Sequence, residues 1–165
     1  MDPKAPANPA LVGIISDTHG VLRPEAVTAL RGSELIVHAG DIGDGDGPQV
    51  LAGLRALAPV VAVRGNCDRD AWAMELPVEE TFELGGRLVH LLHDLARLDF
   101  LPQTAGISIV ISGHTHRPRV ERKEGILFVN PGSAGRRRFD LPVCVALLRF
   151  GAEGPEAEIV KLEVR

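Results

Sequence analysis

Asp17 and His19 stand two residues apart, and so do His114 and His116. Asp41, Asn66 and His93 each follow a short apolar run. Carboxylate, imidazole and amide oxygen together are the donor set of borderline divalent ions such as Mn²⁺, Fe or Zn²⁺, not of a structural sulfur site. In extended chain, alternate side chains lie on one side, so each two-residue pair is expected to reach a common ion. Asp41, in the stretch from Leu35 through His38 and Gly40 to Asp44, is the expected point the clusters share. Singly, these residues have plainer readings: Asp17 as a helix N-cap, Asp41 and Asp44 as turn residues, Asn66 as ordinary turn chemistry, His19 as a surface histidine. Their coincidence outweighs those readings. Five polar clusters each close an apolar strand, and none falls in mid-helix.

The elements that must position them follow from pattern. Residues 11–15, 35–37 and 60–63 are short apolar runs, expected as buried strands. Between the first two, Pro24 opens and Gly32 closes a helix over 25–31. Between the next two, Val50, Leu51, Leu54 and Leu57 have helical spacing ended by Pro59. This β-α-β-α-β alternation implies parallel strands, whose carboxyl ends are where open α/β sheets hold ligands. Farther on, 80–84 and 87–92 form a hairpin around Gly85-Gly86, followed by a strand at 107–111. A turn at Gly125 joins 120–122 to 126–129, and 143–150 and 157–164 are the last strands. So much strand with so few helices predicts two packed sheets with helices outside.

Composition narrows the class. The 165 residues are 45% hydrophobic and 24% charged, as in a soluble globular protein, and suffice for one domain, expected over 11–165. Residues 1–10, with Pro3, Pro6 and Pro9, are expected to be a flexible leader. A net charge of −4 disfavours bulk nucleic-acid binding by counterion release. No apolar run approaches the ~20 residues of a membrane span. Cys67 and Cys144 have no metal spacing and make no disulfide framework, so a reduced, cytoplasmic setting is expected.

Asp17-Thr-His19, Gly40-Asp41, Gly65-Asn66-Cys67-Asp68, His93 and Gly113-His114-Thr-His116 resemble the ordered motifs of the calcineurin-like metallophosphoesterases. The short chain, Cys67 and Asn130-Pro-Gly-Ser133 resemble the family's small bacterial and archaeal phosphodiesterase branch, to which a retromer subunit is related. The resemblance implies an α/β (α+β) fold, a four-layer α-β-β-α sandwich of two mixed sheets. It implies two divalent metal ions, Mn²⁺ first and Zn²⁺, Fe or Ni²⁺ as alternatives. Asp17, His19 and His116 would hold one ion; Asn66, His93 and His114 the other; Asp41 would bridge them. A hydroxide shared by the ions would attack phosphorus in line.

Two positions depart from the family. Cys67 stands where many members have a histidine that protonates the leaving oxygen; a thiol is a poorer donor there, or only a small buried filler. Asp68 is expected to orient the loop or a ligand histidine rather than bind metal. After His93 come Asp94 and Leu95 in place of glycine and a second histidine; His90 competes as ligand but lies mid-strand on the opposite face. Arg136, Arg137 and Arg138 read as a solvated charge run, Arg23 as an exposed arginine, His38 as a satisfied histidine. The expected function is a phosphodiesterase acting on a small phosphodiester, with no membrane partner and self-association left open. The alternatives are a phosphomonoesterase (nucleotidase or protein phosphatase) and a non-catalytic scaffold of the same fold.

Overall fold

A computed structural model describes residues 5–164. In chain order the elements are β1 (Leu11–Ile15), α1 (Pro24–Leu30), β2 (Leu35–His38), α2 (Gly47–Arg55), β3 (Val60–Ala62), β4 (Glu79–Leu84), β5 (Arg87–Leu92), β6 (Ile107–Ile111), β7 (Arg119–Lys123), β8 (Ile126–Asn130), β9 (Cys144–Gly151) and β10 (Gly154–Lys161). Single 3₁₀ turns lie at Ala71–Glu75 and Leu95–Arg97.

The strands form two mixed five-stranded sheets, ordered β10-β9-β1-β2-β3 and β4-β5-β6-β8-β7. In the first, β1, β2 and β3 are parallel; in the second, β5, β6 and β8 are. Alternation along each strand assigns its faces. Val12 and Ile14, Leu35 and Val37, and Val61 and Val63 meet Val89 and Leu91, Ile109 and Ile111, and Leu127 and Val129 in the core between the sheets. The opposite phase of the first sheet, Ile15, Ile36 and Val60, packs under Leu30 of α1 and Leu51 and Leu54 of α2. Gly13 makes that docking possible, since a Cβ there would lie 2.5 Å from a Leu30 methyl. The sandwich is the architecture expected. Its outer layer over the second sheet is thin: Leu95, Leu98 and Phe100, from the 3₁₀ turn and the loop after it, cover Leu92, Val110 and Ile126.

Most elements differ from the expected boundaries by one residue, and the last strand shifts by three. The last strand begins at Gly154, three residues before the expected 157, and ends at Lys161. Pro155 lies inside it, which an edge strand tolerates because one row of its N–H groups has no ladder partner. The helix α1 starts at Pro24 behind Arg23 with no side-chain cap, so Asp17 is not an N-cap. Part of the expected leader, residues 1–4, lies outside the described residues. Of the rest, the Ala7 carbonyl accepts from Gly85 N and Ala10 N donates to Glu34 Oε1. No helix among the described residues is long and apolar enough to cross a membrane.

Candidate metal centre

All six parallel strands discharge at one edge of the sandwich, and their exits are tied together there. Asp17 N donates to the Gly40 carbonyl and His19 N to the Asp41 carbonyl, joining the exits of β1 and β2. Across the sheets, Gly113 N donates to the His93 carbonyl, and His114 N reaches Asp17 Oδ2 at 3.0 Å. The chain leaves little room here. A Cβ on Gly65 would lie 2.1 Å from Asp41 Oδ1, and one on Gly113 would lie 2.0 Å from Ser16 Oγ.

The expected extended spacing is not what brings the paired side chains together. Asp17 (φ 54°), His19 (46°), Asp41 (53°), His114 (72°) and His116 (61°) all occupy left-handed backbone. Among the described non-glycine residues only Glu124 and Phe139 do likewise. Such residues persist where surrounding structure over-determines them, and they gather at functional sites. Tight left-handed turns, not flat strand, aim these donors inward.

The donors converge in two sets. Nitrogen or oxygen atoms of Asp17, His19 and His116 lie within 4.8 Å of one another, as do those of Asp41, His93 and His114. In the second set His93 Nε2 is 3.3 Å from Asp41 Oδ2, 3.1 Å from Asn66 Oδ1 and 3.3 Å from His114 Nδ1. Donors held ~2.0–2.2 Å from one ion at tetrahedral or octahedral angles are themselves ~3.0–3.5 Å apart, so this spacing fits a metal. In the first set His116 Nε2 is 3.2 Å from Asp17 Oδ1. Asp41 stands between the sets, with Oδ2 3.8 Å from His19 Nε2 and 3.3 Å from His93 Nε2. Buried polar atoms rarely go without partners. Here Asp17 Oδ1 and His19 Nε2 are buried without a hydrogen bond, which leaves both free to accept an ion.

Neighbouring groups fix the donors' orientation and charge. His93 Nδ1 donates to the Ala39 carbonyl at 2.7 Å, leaving Nε2 as the lone-pair nitrogen facing Asp41. Asp17 Oδ2 accepts from the Ser16 hydroxyl and His114 N, turning Oδ1 toward His116. Burial alone would push both carboxyls up. For Asp41, the His93 imidazole and the Cys67 backbone N–H outweigh it; for Asp17, His116, His93 and the Ser16 hydroxyl do. Both therefore lie below the usual carboxylate range. Burial lowers His19, while His93 is drawn up by Asp41 and Asp17 against its own burial.

Asp68 is buried and accepts from the backbone N–H of Ile42, Gly43 and Gly65, which pins the Asp41 loop to the Asn66 loop. Cys67 is only partly buried, so it is not the buried filler weighed above. Its sulfur lies within 4.8 Å of donor atoms of His19 and Asp41, and burial with the nearby Asp41 carboxylate pushes its thiol up. His90 faces away from the site, bonded to Thr81 and Glu79 and edge-on to Phe100. Asp44 stays on the exposed loop. Arg23 Nε donates to the Gly135 carbonyl, and Arg136, Arg137 and Arg138 are exposed.

Two residues that the sequence reading named without a role at the site support it. Asn130, the last residue of β8, donates to the Gly113 carbonyl and to Thr115 Oγ1, holding the histidine loop from below. Its position at a strand exit, like the other clusters, was the available signal. His38 is satisfied, as expected, but it also links two loops. Gly40 N donates to its Nδ1, so its proton is on Nε2, which donates to Thr18 Oγ1; that hydroxyl donates to the Ile42 carbonyl.

Comparison with known proteins bears on this arrangement. The calcineurin-like phosphoesterase superfamily domain matches residues 11–153. A probable metallophosphoesterase of Methanothermobacter thermautotrophicus is 40% identical over 163 residues, covering 92% of each chain. The phosphodiesterase YfcE of Escherichia coli K12 is 29% identical over 154 residues, covering 81% of this chain and 84% of its own. Among solved structures, a novel archaeal phosphodiesterase superposes with a TM-score of 0.76 at 23% identity, covering 92% of this chain and 99% of the other; at that identity the likeness speaks for the fold.

Proposed function

The chain belongs to the calcineurin-like phosphoesterase superfamily, and on that premise we propose that it is a metal-dependent phosphodiesterase with a dinuclear centre. One observation carries the reading: two sets of converging donors meet at Asp41, whose Oδ2 lies 3.8 Å from His19 Nε2 and 3.3 Å from His93 Nε2. Asp17, His19 and His116 would hold one ion and Asn66, His93 and His114 the other, with Asp41 between them. Mn²⁺ is the first expectation, with Zn²⁺, Fe and Ni²⁺ as alternatives. Such a pair, when bound, acidifies water and takes up the charge that develops on phosphoryl oxygens.

The chain's own part is orientation and charge. Asp41 and Asp17 stay ionised because their neighbours favour the carboxylate. The Ala39 carbonyl keeps a lone pair of His93 directed inward. Asp68 holds three backbone amides so that the Asp41 and Asn66 loops keep their spacing. Cys67, kept protonated by burial and by Asp41, stands beside the donors with a proton to give to a leaving oxygen. A thiol does this less well than imidazole, so esters with good leaving groups should turn over fastest.

The test is metal content after purification, read with activity restored by single added ions. With Mn²⁺ present, bis-p-nitrophenyl phosphate should be hydrolysed faster than p-nitrophenyl phosphate. Faster monoester turnover would make the protein a phosphomonoesterase. Two bound metals with no hydrolysis of either ester would leave a scaffold.

A further inference from the structure

A cavity of about 650 Å³ opens beside the second donor set. Asn66, His93 and His114 form one wall, and Val78 and Leu92 supply apolar surface. Its size falls in the range of small-molecule sites. None of Asp17, His19 or His116 lines it, so it extends from the centre to one side only.

Its charged lining residues differ in how they are engaged. Arg64 donates to the Leu76 carbonyl at 2.6 Å, which commits it to the loop before β4. Glu79 faces His90 Nε2 at 3.2 Å. Asp94 accepts from Ala96 N and lies 3.8 Å from His114 Nε2. Arg97, an exposed residue, lines the same cavity, and among the described residues its guanidinium has neither a hydrogen bond nor an ion pair. A planar five-donor cation left free at the wall of a cavity is suited to a phosphate or carboxylate.

We infer that this cavity receives one ester arm of the phosphodiester and that Arg97 selects arms carrying a second anionic group. The inference rests on the phosphodiesterase reading, because it assigns the arm to a phosphorus held at the donor sets. The apolar body of the arm lies against Val78 and Leu92, and its anionic group meets Arg97. Arg97 is a specificity residue and touches no reacting atom.

The test uses metal-loaded full-length protein. Calorimetric titration compares thymidine 3′,5′-bisphosphate with thymidine 5′-phosphate, and kinetics compares the p-nitrophenyl ester at the 5′-phosphate of each. The additional phosphate should raise affinity and kcat/KM about tenfold in the wild type, as one charge-assisted contact does. Arg97→Ala should abolish that preference, Arg97→Lys should keep part of it, and bis-p-nitrophenyl phosphate hydrolysis should stay within about twofold in both. A wild type indifferent to the additional phosphate, or an unchanged preference in Arg97→Ala, overturns the inference. Failure of the phosphodiesterase reading looks different: the Arg97-dependent binding difference would persist while neither ester was cleaved.

Discussion

The two edges of this sandwich turn the chain through the same left-handed backbone but place different residues there. At the edge away from the metal centre, turns join β4 to β5, β7 to β8 and β9 to β10, and their left-handed positions fall mainly on glycines: Gly85, Gly86, Gly125 and Gly154. Only Glu124 is an exception. At the centre's edge left-handed glycines, among them Gly20, Gly40, Gly43 and Gly132, are joined by five left-handed positions that hold Asp or His. Glycine takes that conformation freely, whereas a residue with a Cβ gives up about 1–2 kcal/mol. The far edge is built for the fold alone. The near edge accepts strain at the residues proposed as donors.

The largest effect should come from the shared carboxylate. Asp41→Asn should lower the content of both metals together and cut diester hydrolysis by at least about 10²–10³-fold, whereas His116→Ala or His93→Ala should chiefly cost one metal. Elemental analysis of the purified variants decides this; two metals retained in Asp41→Asn would remove Asp41 from the bridging position.

One substitution made at both edges sharpens the contrast. Gly65→Ala brings a methyl to 2.1 Å from Asp41 Oδ1, while Gly125→Ala meets nothing within 4 Å. Gly125→Ala should cost only about 1–2 kcal/mol for its left-handed backbone and leave activity intact. Gly65→Ala should lose metal binding and activity outright. Equal behaviour in urea melts and activity assays would refute the view that the exits are packed around the donors.

Acid should find the near edge first. His38 is fully buried, and burial holds it down to about 3 from an ordinary 6.5. Its folded state resists the proton, so its contribution to stability is complete above pH 6.5 and is lost as pH falls from there toward 3. Asp17 and Asp41, held below the ordinary 3.8, add a further loss below that value. His38→Gln should flatten the limb between pH 6.5 and 4 in a plot of urea midpoint against pH.

The smallest effect tests the strain itself. Relieving one left-handed side chain should raise the stability of the metal-free protein by about 1 kcal/mol, a few degrees in Tm. Glu124→Gly should do so at no cost to activity, and His19→Gly should do so while removing a proposed ion ligand. Falling melting temperatures in both would show these turns to be unstrained.

Much of this was legible in the sequence because buried parallel strands are short apolar runs and their exits are abrupt. That is why Asp17, Asp41, Asn66, His93 and His114 could be placed at strand ends, and why His90, one face away, could be set aside. The left-handed turns were not legible: Asp and His carry no glycine-like mark of positive φ, so strand spacing was read where turns do the work. Asn130 stood in view at a strand exit, but its role was hidden, because holding the Gly113 carbonyl is a backbone contact without a residue pattern. Arg97 was hidden because a lone charge in a loop acquires meaning only from the wall it lines. The start of β10 was masked by Pro155, which an edge strand accepts.

The bonds around Asp17 also bear on the order in which the molecule assembles. Its backbone carbonyl is held by Ser133, 116 positions away, and its carboxylate by His114, 97 positions away. Contacts so distant along the chain close late, after the loop entropy between them has been overcome. During refolding, helical and strand signals should return before any ion is captured, because no single segment of the chain carries a complete donor set. Under the proposed ligand assignment the centre reports docking between the sheets, and the first tight binding of metal should mark the moment when the two halves of the chain have met.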